Sequence, residues 1–328
     1  MKRRTFITLM GSAAVAWPVV ARGRDASTVR RIGVLMNVAA GDAVGQFRIT
    51  VFLKALQQLG WTDGGNVRID VRWPGIDLEL GRRHAAELIA LQPDVVLAST
   101  SRLVTALQQA TRTVPIVFAN AIDPVGSGIV ASLARPGGNV TGFILFEYAL
   151  AAKWLQLLKE IAPNVTRTAV LRDPTLASGV GQFAAIQAVG SIDTELTVID
   201  IKGADQIGRD IASFAHVANG GLIMTANPFG SNHPDVMVAA AARHKLPAVY
   251  SEPYYVRAGG LIAYGHDVAD DFQRAAGYVD RVLKGEKPAD LPVQAPTKYE
   301  LIINLKAAKA IGLGLPASVL ARADEVIE

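Results

Sequence analysis

From Arg31 onward the sequence alternates short apolar runs with stretches of helical spacing, and then does so a second time. Strand-like runs fall at Ile32–Asn37, Val67–Trp73, Val95–Ser99 and Ile116–Ala119, separated by helical stretches near Val44–Leu59, Glu79–Leu91 and Arg102–Ala110. Strands that are apolar along their length, each followed by a helix, belong in a parallel sheet covered on both faces. The order restarts with strands at Thr168–Arg172, Leu196–Asp200, Leu222–Thr225 and Ala248–Ser251, and helices near Gly181–Val189, Asp205–Phe214 and Pro234–His244. Arg31-Ile32-Gly33-Val34-Leu35 is echoed 136 residues later by Arg167-Thr168-Ala169-Val170-Leu171. Val114-Pro115-Ile116-Val117-Phe118 is echoed 132 residues later by Leu246-Pro247-Ala248-Val249-Tyr250. Near-equal offsets at the first and last strands predict two copies of one α/β architecture, which suits a chain of 328 residues.

The segments left over are long enough to cross between the halves more than once. The turn cluster Arg135-Pro136-Gly137-Gly138-Asn139 leads into a strand at Val140–Phe146, and Gly259–Gly265 offers a second crossing. A helix at Val268–Leu283 stops at Lys284-Gly285 with Pro288 beyond, and the strand Tyr299–Leu305 and two helical stretches follow. The expected division is a first lobe of residues 30–143 plus 267–288, a second of 144–266, and a hinge-crossing strand with C-terminal helices over 289–328. Several connecting strands make a hinge with a cleft, into which both sheets point the loops at their carboxyl ends.

Residues 1–23 read as an export signal. Lys2-Arg3-Arg4 precedes the apolar stretch Ile7–Val20, which at 14 residues is too short to span a bilayer, and Ala21-Arg22-Gly23 offers a small-x-small cleavage site. Arg3-Arg4-Thr5-Phe6-Ile7 fits a twin-arginine signal, the alternative being a general secretory signal with a chance Arg pair. Four of the 33 Lys and Arg lie in this leader; the remainder balance 29 Asp and Glu. The basic pI of about 9.3 therefore belongs to the leader, and no polybasic field remains for nucleic acid or anionic lipid.

Most catalytic signatures are missing. With no cysteine there is no disulfide, thiol nucleophile or lipid-anchored N-terminal Cys. There is no phosphate-binding Gly-x4-Gly-Lys-Ser/Thr loop and no Gly-x-Ser-x-Gly elbow. The histidines at 84, 216, 233, 244 and 266 lack metal-ligand spacing and read as surface or cap residues. Gly179-Val180-Gly181-Gln182-Phe183-Ala184, with Asp200 ending the next strand, fits a dinucleotide fingerprint and supplies the rival expectation, an exported NAD(P)-dependent oxidoreductase. Against it, about five residues separate that motif from the preceding strand, where the fingerprint needs an immediate turn. No catalytic residue, metal or cofactor is assigned.

The informative residues are polar ones at strand ends. They are Asn37, Ser99, Thr100, Ser101, Asn120 and Asp123 in the first half, and Asp173, Asn227 and Glu252 in the second. Hydroxyls at the start of the helix after Ser99 suit a carboxylate or other anion, and equally suit plain N-capping. Asp123 or Glu252 would face a ligand's cationic group, although Asp123 before Pro124 is also a turn former. Tyr250, Tyr254 and Tyr264 would pack against the ligand body, unless they are core residues.

The run Leu133-Ala134-Arg135-Pro136-Gly137-Gly138-Asn139-Val140-Thr141-Gly142-Phe143 resembles the ABC-transporter solute-binding family that includes tryptophan-binding receptors. Asp123-Pro124-Val125-Gly126-Ser127-Gly128, Lys284-Gly285-Glu286-Lys287-Pro288 and Ile303-Asn304-Leu305-Lys306 with Ala308 are similar to the family too. The resemblance implies the type I periplasmic binding protein fold, two Rossmann-like lobes closing on a small ligand. It implies a non-enzymatic periplasmic receptor for an amino acid or small aromatic or carboxylate compound, delivering it to a permease and ATPase on separate chains.

Overall fold

The computed structural model describes residues 29–190, 194–227, 229–230 and 233–328. The expected export signal lies outside them. Two sheets organise the chain. The first has five parallel strands, β1 (Arg30–Leu35), β2 (Val67–Arg72), β3 (Val95–Ala98), β4 (Ile116–Ala121) and β5 (Val140–Ile144), in the order β2-β1-β3-β4-β5. The second contains β6 (Arg167–Arg172), β7 (Glu195–Asp200), β8 (Gly220–Met224), β9 (Ala248–Tyr250) and β10 (Ile262–His266), in the order β7-β6-β8-β9-β10. The orders correspond strand for strand, and the two sequence echoes fall on β1 with β6 and on the starts of β4 and β9. An antiparallel β11 (Tyr299–Asn304) and a short β12 (Glu325–Ile327) extend the second sheet beyond β10.

Helices cover both faces. In the first lobe these are α1 (Ala43–Gln58), α2 (Leu78–Ala90) and α3 (Ser101–Ala110), with Asp42 and Asp77 capping the first two through their carboxylates. In the second they are α4 (Leu150–Ile161), α5 (Ala177–Gly190), α6 (Ala204–Ala215), α7 (Pro234–Arg243) and α8 (Pro253–Arg257). The long α9 (Val268–Leu283) follows β10 yet packs on α1, so its Phe272, Ala275 and Val279 complete the first lobe's core with Phe52 and Ile32. Short helices α10 (Leu305–Ala310) and α11 (Ala317–Leu320) close the second lobe. Among the described residues no helix is long and apolar enough to cross a membrane.

Three stretches carry the chain between the sheets: from β5 to α4, from β10 to α9, and from residue 294 to β11. Gln294 still belongs to the first side, its N–H donating to Gly142 and its carbonyl accepting from Ile144. Gly142 sits at φ 152, and a Cβ there would lie 2.1 Å from the Phe118 carbonyl, so the strand beside β4 admits no side chain. On the other side Trp154, 1 % exposed, donates its indole N–H to the Tyr264 carbonyl at 2.7 Å and fixes α4 against β10.

Candidate ligand cleft and its hinge

The parallel strands of each sheet end in loops that carry the polar residues singled out above. In the first lobe these residues are largely spent on one another. Ser99 is fully buried; its hydroxyl accepts the Asn37 N–H at 2.8 Å and lies 2.9 Å from Asn37 Oδ1, to which it donates. Ser101 donates to the Ile122 carbonyl and accepts from the Ile122 N–H, lashing the start of α3 to the end of β4. Thr100 occupies the N-cap position of α3 but makes no side-chain cap bond. Asp123 accepts from the Gly126 N–H at 2.9 Å, as a turn former does. Asn120 (φ 69) and Asp123 (φ 42) both hold left-handed backbone at the bulged end of β4, a conformation Asn and Asp tolerate better than other side chains. Asn120 is 5 % exposed and its Oδ1 has no hydrogen-bond partner.

The second lobe is built differently. Asp173 closes its own turn through Thr175, and Asn227 accepts from the Gly230 N–H at 2.6 Å. Ser178, on the first turn of α5, and Ser251, at the end of β9, are buried with unpartnered hydroxyls. Tyr250 is a core residue, 2 % exposed and stacked on Tyr255 at 4.9 Å between ring centroids; Tyr254 packs on the other side of Tyr255 at 4.5 Å. Tyr264 is stacked on Tyr299 and lies beneath the Lys153 ammonium. A concavity there is walled by Lys153, Glu160, Tyr264, Arg322 and Asp324. Tyr148, in the first crossing stretch, turns its hydroxyl toward Asp123, and burial, then that carboxylate, raises its pKa.

The sharpest electrostatic feature carries no signal in the sequence. His266, expected at the surface or in a cap, is 1 % exposed at the end of β10. The residue ends a central strand just before the chain crosses to α9, which buries it. Its Nδ1 lies 3.6 Å from Glu252 Oε1 and its Nε2 lies 3.4 Å from Asp271 Oδ2. Burial pushes Glu252 and Asp271 up to about 8 and His266 down to about 3. Arg48, on α1 of the first lobe, faces this group; burial lowers its pKa while Glu252 is the largest influence opposing that, and its Nε has no partner. Only a helical stretch is legible around Arg48 in the sequence, so no local signal marks it. Among the described residues, no group of His, Asp or Glu is arranged to hold a metal ion.

The dinucleotide reading is corrected by the same geometry. Gly179 and Gly181 lie inside α5 rather than in a turn before it. A Cβ at Gly181 would sit 2.9 Å from the Tyr148 ring, and one at Gly179 would sit 2.2 Å from the Asp173 carbonyl. Their smallness admits neighbouring protein, not a pyrophosphate. Asp200 is held by Arg172 at 3.1 Å.

Two parallel α/β sheets that repeat one strand order, flanked by helices and joined by three crossings, define a two-lobed α/β protein, and comparison with known proteins gives its family. Residues 31–327 match the ABC transporter substrate binding protein family, and the chain belongs to it. A tyrosine-binding protein of Clostridioides difficile is 27% identical over 263 residues, 80% of this chain and 75% of that protein. The crystal structure of an ABC domain in complex with L-Trp from Streptococcus pneumonia superposes with a TM-score of 0.81 at 25% identity, over 92% of this chain and 100% of that one. A conserved domain protein from Vibrio cholerae superposes with a TM-score of 0.82 at 26% identity, over 91% of this chain and all of that one.

Proposed function

We propose that the protein is the exported receptor of an ABC importer and captures an amino acid, with an aromatic one such as tyrosine or tryptophan first in line, between its lobes. The observation that carries this reading is a group of buried, unpartnered polar atoms at the ends of β4 and β9 and on helices of both lobes: Asn120 Oδ1, Ser251 Oγ, Ser178 Oγ on α5 and Arg48 Nε on α1. A buried polar atom without a partner costs free energy, and a ligand that supplies the partner recovers it. The names of the two relatives, one tyrosine-binding and one seen with L-Trp, support the choice of ligand class.

In this reading residues 30–143 with 267–288 move against 144–266, and the segment from 289 onward crosses the hinge. Ligand bridges the lobes and favours the closed arrangement by binding it more tightly than the open one. Arg48, Asn120 and the N-terminal turn of α3 at Thr100 face the ligand from one side; Ser178, Ser251 and Tyr254 face it from the other. Delivery is to a permease and an ATPase on separate chains, in the periplasm, after export through the leader at residues 1–23. The protein leaves its ligand's bonds intact. A thermal-shift screen of the purified protein with L-tyrosine, L-tryptophan, other amino acids, sugars and nucleosides tests the reading. Ligand at about 100 times its Kd stabilises by about 2.7 kcal/mol, which raises Tm by several degrees. Stabilisation by sugars or nucleosides alone would overturn the amino-acid assignment.

A further inference from the structure

β2 and β7 hold the same place in the two sheets, each an outer strand beside the first strand of its lobe, and the chain treats their free edges differently. Along a parallel strand alternate residues turn their backbone groups to opposite sides, so an edge strand offers every second residue to whatever lies outside. On β2 these are Val67, Ile69 and Val71, because Asn66 and Arg72 accept from Arg30 and Met36 on the inner side. The stretch before β2 folds back over them. The Val67 N–H donates to the Thr62 carbonyl, the Val67 carbonyl accepts from Gly64, and the Ile69 N–H donates to the Asp63 carboxylate at 2.9 Å. The Arg72 guanidinium donates to the Val71 carbonyl. This edge is closed by its own chain.

β7 has no such cover. Its Glu195 and Ile201 N–H groups donate to Thr166 and Arg172 on the β6 side, so Leu196, Val198 and Asp200 turn outward. Among the described residues nothing bonds to the backbone groups of these three. A groove of about 450 Å³ lies along the edge, walled by Thr197 and Ile199 of β7 and by Asp210 and Phe214 of α6. The two acids of β7 are paired within the sheet, Glu195 with Arg167 at 3.5 Å and Asp200 with Arg172 at 3.1 Å. Between them runs Leu-Thr-Val-Ile, with no Pro, Gly or Lys to blunt the edge.

We propose that the β7 edge is a self-association surface, on which a second copy of this chain pairs antiparallel about a two-fold axis at Val198. With Val198 opposite its own copy, Leu196 falls opposite the copy's Asp200 and Asp200 opposite its Leu196. Each of these pairs exchanges two N–H···O bonds, so every outward backbone group is satisfied on both copies at once. On the α6 face Thr197 meets the copy's Ile199, a favourable β-branched pair. Sliding the axis to Asp200 would set two carboxylates face to face, which disfavours that register. β7 lies at the end of the second sheet remote from β10 and β11, so pairing leaves the crossings between the lobes free.

Sedimentation equilibrium of the purified, ligand-free protein between about 10 μM and about 1 mM tests this. The mass is expected to climb from that of one chain toward twice that value. Val198→Lys and Val198→Glu each set like charges against one another at the axis, so each variant alone is expected to stay single. An equimolar mixture of the two is expected to pair again. Thermal unfolding shows whether each variant has folded. Val198→Pro, which removes an outward N–H and nothing from the β6 side, takes the place of one that has not and is expected to stay single. Wild-type protein that stays single throughout, which would leave the edge to an extended segment of another protein, would overturn the proposal. So would folded variants that pair as the wild type does, or a Lys and Glu mixture that stays single.

Discussion

The two lobes repeat one strand order and differ in which of their strand-end hydroxyls are satisfied. In the first, the polar residues at the strand ends satisfy one another: Ser99 with Asn37, Ser101 with both backbone groups of Ile122, Asp123 with its own turn. In the second, Ser178 and Ser251 are buried without partners, and Asp271, on α9 after the crossing from β10, is in the same state. Satisfied groups rigidify a wall, whereas unsatisfied ones store free energy that a ligand, a proton or lobe closure can recover. The contrast is one of degree, since Asn120 and Arg48 of the first lobe are unpartnered and Asp173 and Asn227 of the second close their own turns.

This contrast can be broken in graded ways. The largest effect is expected where α4 is fastened against β10. Trp154→Ala removes a buried indole and its bond to the Tyr264 carbonyl, at a cost of about 3–5 kcal/mol in chemical unfolding. A smaller loss would mean that α4 is not what holds β10. Next is the satisfied wall. Ser101→Ala leaves the Ile122 N–H and carbonyl without their side-chain partner and is expected to cost about 1–3 kcal/mol.

The hinge should appear in the pH dependence of stability. Glu252 and Asp271 titrate higher in the fold than in the unfolded chain, so the folded protein binds more protons and stability falls as pH rises toward 8. His266 titrates lower in the fold, so it contributes the opposite trend between about 3 and 6.5. The two oppose each other below 6.5; from there to 8 the carboxyl contribution stands alone. The unfolding free energy is expected to decline over that interval by about 1.4 kcal/mol per pH unit for each extra proton the fold holds, and Tm to fall with it. A Tm that climbs across it would remove the hinge from the account. The smallest expected stability change is at an unpartnered site. Ser251→Ala deletes a hydroxyl that bonds to nothing, so unfolding should shift by less than about 0.5 kcal/mol. Its affinity for L-tyrosine or L-tryptophan should nonetheless fall about tenfold, a loss of about 1.4 kcal/mol in titration calorimetry.

Much of the fold was legible because burial on two faces forces continuous apolar strands and amphipathic helices. The strand pairs echoing at Arg31 and Arg167, and at Val114 and Leu246, fall on corresponding strands of the two sheets. The helix expected at Val268–Leu283 has those bounds. The site was harder to read, since type and position do not reveal whether a group is already satisfied. Ser99 and Ser251 look alike in sequence, yet one bonds Asn37 and the other bonds nothing. Tyr264 is engaged by Tyr299 of β11 and Lys153 of α4, neighbours that its place in an alternating strand does not reveal. Arg48 and Asp271 were hidden for another reason: both sit on ordinary helices, and the group they form exists only when β10, α1 and α9 meet. His266 shows the same limit, because one histidine carries no spacing from which burial could be inferred.

The most direct measurement is backbone hydrogen exchange with and without saturating L-tyrosine or L-tryptophan. Exchange is expected to slow in both lobes together, around 99–101, 120–123 and 251–252 at strand ends and at 178 on α5, and across the crossing at 266–271. Protection confined to the concavity of Lys153, Arg322 and Asp324, or to the loops of a single lobe, would contradict it.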